Sequence, residues 1–186
     1  MSELSIKLTQ IEKSDQAAIR SLFEGGFERF WDRHELFDPQ NMDAWLDSLA
    51  EDNSKRMFAI RAARTRTAAP GKLYVVGLSG LDQIDLISRH GRLVFIMVDK
   101  GGHESTIQNH PATKSAFKSM LDYGFKELGL NKIWTEVYEH NDVRNVLEQF
   151  GFIPEGVRVD SFWYDGKYYN SIICSLTTIE YNKREE

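Results

Sequence analysis

The chain has 186 residues, of which 41% are hydrophobic, so its length suffices for one well-filled core without a second domain. Its 23 basic and 28 acidic residues give a net charge of −5, which argues against a protein that binds nucleic acid by neutralising phosphates. The one cysteine excludes an internal disulfide, and no apolar run approaches the roughly 20 residues of a membrane span. We therefore expect residues 1–186 to form a single cytoplasmic domain that contacts neither nucleic acid nor membrane.

The first third of the chain predicts a strand, two helices and a second strand. Ser14 and Asn41 are residue types that cap helices, and each precedes an apolar stripe at helical spacing. An alternating strand precedes the first helix, and Met57 begins a strand after the second one. Residues 64–71 have the composition of an exposed hairpin loop. The apolar positions are Leu4, Ile6 and Leu8, then Ile19, Leu22, Phe23 and Phe27, then Met42, Trp45, Leu46 and Leu49.

The middle third predicts the centre of a sheet followed by a long helix. An extended pattern begins at Leu73, continues beyond two glycines to Leu86, and is followed by a predicted turn at His90 and Gly91. The segment Leu93–Val98 is six apolar residues in a row, which is typical of a central strand covered on both faces. After the polar residues 99–110, Pro111 is suited to the first position of a helix that ends at Gly129. The apolar face of that helix is Phe117, Met120, Leu121 and Leu128.

The last third predicts a strand, a short helix and a hairpin. Residues 133–138 alternate between apolar and polar types, which indicates a strand with two different faces. A short apolar stripe within residues 143–150 is followed by Gly151, which favours a helix end. The pair Asp165 and Gly166 lies between aromatic and β-branched runs and predicts a tight hairpin. Cys174 lies in an apolar run and is interpreted as an inert core thiol. The order of elements is that of an α/β domain with a mixed sheet.

This last third resembles the C-terminal half of the GNAT superfamily of N-acetyltransferases, and within it the RimJ/RimL-like branch. The motif positions of that branch are occupied here by Asn141, Gly151, Phe152, Glu155, Gly156, Asp165, Gly166, Lys167 and Tyr168. The resemblance implies a GNAT-like, mostly antiparallel sheet of about seven strands flanked by about four helices. It also implies an acetyl-coenzyme A-dependent acyltransferase that acetylates a primary amine of a small metabolite, an amino sugar or a protein N-terminus, with a homodimer as its assembly.

In the family that the chain resembles, the acetyl-coenzyme A co-substrate enters between the fourth and fifth strands. The resemblance implies that its pantetheine arm contacts the main chain of Met97 and Val98 and the side chain of Asn141. Helix capping is an alternative role for Asn141, because asparagine is a favoured cap residue.

The pyrophosphate of the co-substrate is expected at the loop before the long helix, where the family pattern is (Q/R)xxGx(G/A). The aligned residues here are Gln108, Asn109, His110, Pro111, Ala112 and Thr113. Since a helix N-terminus binds anions through its unpaired amides, Ala112, Thr113 and Lys114 can still hold the phosphates without the family glycines. The alternative is that this loop fills the phosphate site, which would make the protein a non-catalytic GNAT-fold interaction module.

The catalytic groups that many relatives use are absent from the aligned positions, which hold Arg92 and Leu147. Glu136 and Tyr138 share one face of the fifth predicted strand, so we expect them to be the base and the acid of the reaction. The alternative is that Tyr138 is a core residue, that Glu136 is an exposed surface group and that positioning alone carries catalysis.

Two further expectations concern the acceptor pocket and metals. Trp31 and Trp163 are candidates for lining the acceptor pocket, although aromatic residues at such spacings also fill cores. The histidines at 34, 90 and 103 are too scattered for metal-ligand spacing, so no metal site is expected.

Overall fold

The computed structural model describes residues 6–23, 42–63, 73–97, 111–139 and 143–185. A 3-10 turn, Lys13–Asp15, precedes the first helix, and a π-helical turn, Tyr123–Glu127, extends the third. The elements in chain order are β1 (Ile6–Gln10), α1 (Gln16–Phe23), α2 (Met42–Glu51), β2 (Arg56–Ala63), β3 (Leu73–Asp85), β4 (His90–Met97), α3 (Pro111–Asp122), β5 (Lys132–Tyr138), α4 (Val143–Gln149), β6 (Ile153–Tyr164), β7 (Lys167–Thr177) and α5 (Thr178–Glu185).

The strands form one seven-stranded sheet in the order β1-β2-β3-β4-β5-β7-β6. Neighbouring strands are antiparallel except for β4 and β5, which run parallel. The predicted α/β fold with a mixed, mostly antiparallel sheet is therefore confirmed. The described part of the chain holds five α-helices, one more than the sequence predicted, and the additional helix is α5.

The sheet is covered on both faces by apolar clusters. Alternate residues of β4 belong to the two clusters: Leu93 and Phe95 pack with residues of α3, while Val94 and Ile96 pack with residues of α1. The predicted central strand covered on both faces is thus confirmed for residues 93–96. Cys174 is buried in the α3 cluster, and burial raises the pKa of its thiol, as expected for an inert core cysteine.

The turn between β3 and β4 differs from the sequence prediction. It lies at residues 86–89, whereas His90 and Gly91 are the first residues of β4. The carboxylate of Asp85 accepts the amide hydrogens of Ile87 and Ser88 at 2.8 and 2.9 Å, and this side-chain turn competes with the glycine signal on which the prediction rested. Leu86 consequently leaves the strand and is 63% exposed.

The start of the first helix also differs. Ser14 lies inside the 3-10 turn, and its hydroxyl donates to the carboxylate of Glu12 rather than accepting the hydrogen of a helix amide. Glu12 and Asp15 instead satisfy each other's backbone amides in a capping box, which explains why α1 begins only at Gln16. The second predicted cap, Asn41, and the predicted loop 64–71 lie outside the described residues.

The turns of the C-terminal third follow the local rules. Gly151, two residues after the end of α4, has a φ of +91. The pair Asp165 and Gly166, with φ of +47 and +78, joins β6 to β7. Both values of φ in the pair are positive, as a type I′ hairpin turn requires, so the predicted hairpin is confirmed. The unpredicted α5 packs its buried residue Tyr181 on the ring of Phe125, with 4.8 Å between ring centroids.

Candidate active site

A gap opens in the sheet where β4 and β5 diverge. The two strands pair only at His90 with Lys132, Gly91 with Ile133 and Arg92 with Trp134. Immediately beyond these pairs, the hydroxyl of Thr135 donates to the carbonyl of Leu93 at 3.1 Å, in place of a backbone donor. The rest of β4 and β5 therefore presents backbone edges to the gap that do not pair with each other.

A buried carboxylate lies on β5 beside this gap. Glu136 is the second residue beyond the last β4–β5 pair and is only 8% exposed. The hydroxyl of Ser171 donates to its Oε1, and Nη1 of Arg158 donates to its Oε2 at 3.0 Å. The hydroxyl of Ser161 in turn donates to that of Ser171 at 2.7 Å. Glu136 is thus a partnered, buried carboxylate, so the alternative that it is an exposed surface group is wrong.

Tyr138 lies on the same face of β5 as Glu136, because the two residues are two positions apart on a strand. Its side chain is 3% exposed, and its ring stacks on that of Phe162 with 4.0 Å between centroids and 17° between planes. Burial agrees with the view of Tyr138 as a core residue. It also fixes the phenol ring beside the carboxylate, so the structure brings the two predicted catalytic residues together.

A bulge in β6 brings Arg158 and Phe162 to this face. Arg158 pairs with Ser171 and Phe162 with Tyr169, so four positions on β6 span two positions on β7. Within the bulge Asp160 has a φ of +50, and its amide donates to the side-chain oxygen of Asn170 at 2.9 Å. Extra residues in one strand redirect its side chains, and here they bring β6 groups over β5. The sequence carries one signal of this bulge, because the consecutive polar residues Asp160 and Ser161 interrupt the alternation that begins at Val157, but no glycine marks it.

The positions of the usual family catalysts have structural roles in this chain. Arg92 donates from Nε and Nη2 to the two carboxylate oxygens of Asp82 at 2.8 and 2.6 Å, and both residues are buried. Leu147 is fully buried in the apolar cluster around α3. Neither side chain is available for proton transfer at the gap.

The N-terminus of α3 is the candidate phosphate site. Pro111 is its first residue, as predicted. The side chain of Thr113 is fully buried and lies in line with Ala116 and Phe117 on the core face, whereas Lys114 is exposed. The groups of this turn that remain for an anion are therefore the backbone amides and the Lys114 ammonium.

Other predicted site residues are placed as follows. Met97 is the last residue of β4, next to the gap. Trp163 is 58% exposed, so the alternative that it is a core residue is wrong. Its ring contacts that of Tyr168 edge-on, with 4.7 Å between ring centroids. The remaining predicted residues, Val98, Gln108, Asn109, His110, Asn141 and Trp31, lie outside the described residues, and for Ala112 only the backbone position in α3 is described.

Neither a metal-ligating cluster nor a membrane-spanning helix occurs among the described residues. Within the described ranges, no cluster of three or more His, Cys, Asp or Glu side chains has a geometry that could hold a metal ion. In those same ranges, no helix is long and apolar enough to cross a membrane.

Comparison with known proteins gives relatives along nearly the whole chain, although no family model matches. The chain is 24% identical to spermidine N(1)-acetyltransferase of Vibrio cholerae, covering 97% of this chain and 98% of the relative. It is also 24% identical to the Escherichia coli enzyme of that name, covering 95% of this chain and 88% of the relative.

Solved structures extend this likeness to the fold. The Vibrio cholerae spermidine N-acetyltransferase in complex with CoA and spermine has a TM-score of 0.75 at 22% identity, covering 95% of this chain and 98% of that chain. A dodecameric structure of the Vibrio cholerae enzyme in an intermediate state has the same TM-score and identity and covers 100% of both chains. At this level of identity the likeness establishes the fold, and it confirms the architecture expected from the C-terminal motifs.

Proposed function

We propose that this chain, which has the GNAT fold, is an acetyl-coenzyme A-dependent N-acetyltransferase that acetylates a primary amine of a polyamine. The observation that carries the proposal is the gap between β4 and β5 with the buried carboxylate of Glu136 at its side. A gap in a sheet exposes main-chain groups to a ligand, and a buried carboxylate beside it is suited to removing a proton from an amine.

The described residues fit acetyl-coenzyme A. Beyond Arg92, the β5-facing edge of β4 up to Met97 offers main-chain donors and acceptors to an extended pantetheine arm. The first turn of α3 offers amides and the positive end of the helix dipole to a pyrophosphate, and the exposed Lys114 adds a cation. Further proposed contacts, supported by the resemblance of the sequence to the GNAT family alone, are Val98, Gln108, Asn109, His110 and Asn141.

When bound, acetyl-coenzyme A supplies an acetyl group as a thioester that an amine can attack. The amine must first lose a proton, and we assign this task to Oε2 of Glu136, the oxygen that faces Arg158 rather than the buried Ser171. Ser171 donates to the other oxygen and so holds the carboxylate in place. Tyr138 carries a hydroxyl proton on the same face of β5 and is the proposed proton donor to the leaving group.

A polyamine is the proposed acceptor because one stretch of the sequence is rich in acidic residues, whose charge attracts ammonium groups. The segment 24–41 contains five acidic residues, at Glu24, Glu28, Asp32, Glu35 and Asp38, against two arginines. The two curated relatives named above are spermidine acetyltransferases, and a solved relative binds spermine together with CoA. Opposite charges attract such an acceptor, whereas the amino end of a protein chain carries a single ammonium. Trp31, in the same segment, and Trp163 stay proposed residues of the acceptor pocket.

The assembly is proposed to be a homodimer or a larger homo-oligomer. The Vibrio cholerae relative forms a dodecamer. In this chain, strand β6 lies at the edge of the sheet, and the β6–β7 hairpin exposes Val157, Val159, Trp163 and Tyr168 by 58–75%. Exposed apolar residues on an edge strand favour pairing with a second copy. Light scattering of the purified protein would test this proposal, and a monomer at all concentrations would contradict it.

Three other expectations stay predictions. They are the RimJ/RimL-like branch, the single-domain organisation of residues 1–186 and the cytoplasmic location. A cell fractionation that recovers the protein with membranes would contradict the last of these.

Titration calorimetry with coenzyme A tests the cofactor assignment. Binding to the native state should also raise the melting temperature, because a ligand at about 100 times its dissociation constant adds about 2.7 kcal/mol to the free energy of unfolding. If millimolar coenzyme A gives neither heat nor a shift in melting temperature, the chain is a non-catalytic interaction module. Pro111, which stands where the family pattern has a glycine, favours that alternative.

A further inference from the structure

The ion pair at the proposed active site is asymmetric in its exposure. The side chain of Arg158 is 58% exposed, whereas that of Glu136 is 11% exposed. The second partner of the carboxylate, Ser171, is fully buried. Among the described residues, Ser171 and Arg158 contact Glu136, and Arg158 is therefore the one of these two that can move into water without opening the core.

The contact itself is also weaker than those of comparable arginines. Arg158 makes one hydrogen bond to Glu136, from Nη1 at 3.0 Å. By contrast, Arg92 is buried and donates from two nitrogens to the two oxygens of Asp82. Arg61 donates from Nη2 to both oxygens of Asp15 and from Nε to Thr9. Two parallel hydrogen bonds fix a guanidinium on a carboxylate, while a single bond to an exposed arginine can be replaced at small cost.

We propose that Arg158 is an exchangeable cation that occupies Glu136 until the ammonium group of the acceptor replaces it. This inference rests on the proposed function, and in it Arg158 controls the access of the acceptor to Glu136. The exchange keeps one positive charge beside the carboxylate, so the buried Glu136 is never left without a cationic partner. An uncharged group in the same place would leave the carboxylate unpaired, which is costly at a buried position. Arg158 thus favours acceptors that arrive as ammonium ions. Such an acceptor binds beside Glu136, the base that then takes its proton.

Removing the competing cation should strengthen acceptor binding. In Arg158→Met we expect the KM for spermidine to fall by about two- to fivefold, the factor that corresponds to a partly exposed ion pair. The KM for acetyl-coenzyme A should stay unchanged, and Arg158→Lys should behave like the wild type because it restores a cation. The control is Lys132→Met, which removes one positive charge from an ion pair with Glu155 at the opposite end of β5 and should leave both KM values unchanged.

A small cation provides a second test. In Arg158→Ala, guanidinium chloride at about 0.1 M should raise the KM for spermidine part of the way back towards the wild-type value, whereas sodium chloride at the same ionic strength should not. If the KM for spermidine rises or stays the same in Arg158→Met while the melting temperature is retained, the inference is wrong. The proposed function still stands in that case, provided that the wild-type protein acetylates spermidine. Wild-type protein without turnover of spermidine would overturn the proposed function, and the inference with it.

Discussion

Replacing Glu136 by glutamine separates catalysis from structure. Glutamine has nearly the same size, and its amide oxygen can still accept the hydroxyl hydrogen of Ser171. The charge partner that is lost, Arg158, is 58% exposed and remains hydrated, so the free energy of unfolding should change by no more than about 1 kcal/mol. Turnover should nevertheless fall by about 10² to 10⁴-fold, the contribution of a general base, with an unchanged KM for acetyl-coenzyme A.

Steady-state kinetics with release of the coenzyme A thiol would measure these changes. Glu155→Gln is the matched control, because Glu155 also accepts from a serine, Ser175, and a cation, Lys132, but beside the first residue of β5 rather than beside the gap. It should retain wild-type turnover. Tyr138→Phe should lower turnover less than Glu136→Gln does. If Glu136→Gln keeps turnover within twofold of wild type, Glu136 is a structural carboxylate and positioning carries the reaction.

Three further substitutions test the framework of the site. Asp82→Ala should lower the free energy of unfolding by about 3–5 kcal/mol in urea titrations, because it leaves Arg92 buried without its charge partner; a change below about 1 kcal/mol would contradict the buried pair. Gly166→Val should cost about 1–3 kcal/mol through its positive φ alone, whereas Gly156→Val, which is equally uncrowded but lacks a positive φ, should cost little; equal melting temperatures would refute the turn assignment. Tyr181→Phe removes a hydrogen bond from α5 to an α3 carboxylate and should cost about 1 kcal/mol, and an unchanged melting temperature would show that the helix packs without it.

Local rules predicted the C-terminal third because its signals act over a few residues. The pair Asp165 and Gly166 forms the hairpin turn. Gly151 follows α4 with a positive φ, which glycine adopts readily. The β3–β4 turn was misplaced because the Asp85 side chain forms a turn earlier than the glycine at 91. The last helix, α5, was missed because its one buried residue, Tyr181, leaves no apolar stripe to detect.

Sequence periodicity placed Glu136 and Tyr138 on one face of β5, since alternation along a strand decides which residues share a face. It did not reveal the partners of Glu136, because Ser171 and Arg158 are 35 and 22 residues away and Arg158 reaches the carboxylate through the β6 bulge. Such a contact depends on strand register, which no local signal fixes. The co-substrate contacts within residues 98–110 and at Asn141 stay predictions.

Direct assay of acetyl transfer tests the central claim. The wild-type protein is incubated with acetyl-coenzyme A and spermidine, and free thiol and acetylated amine are measured together by colour reaction and mass spectrometry. We predict that thiol is released in proportion to an acetylspermidine product and that omission of either substrate abolishes both signals. A folded protein that releases no thiol and yields no acetylated amine would contradict the assignment of this chain as a polyamine N-acetyltransferase.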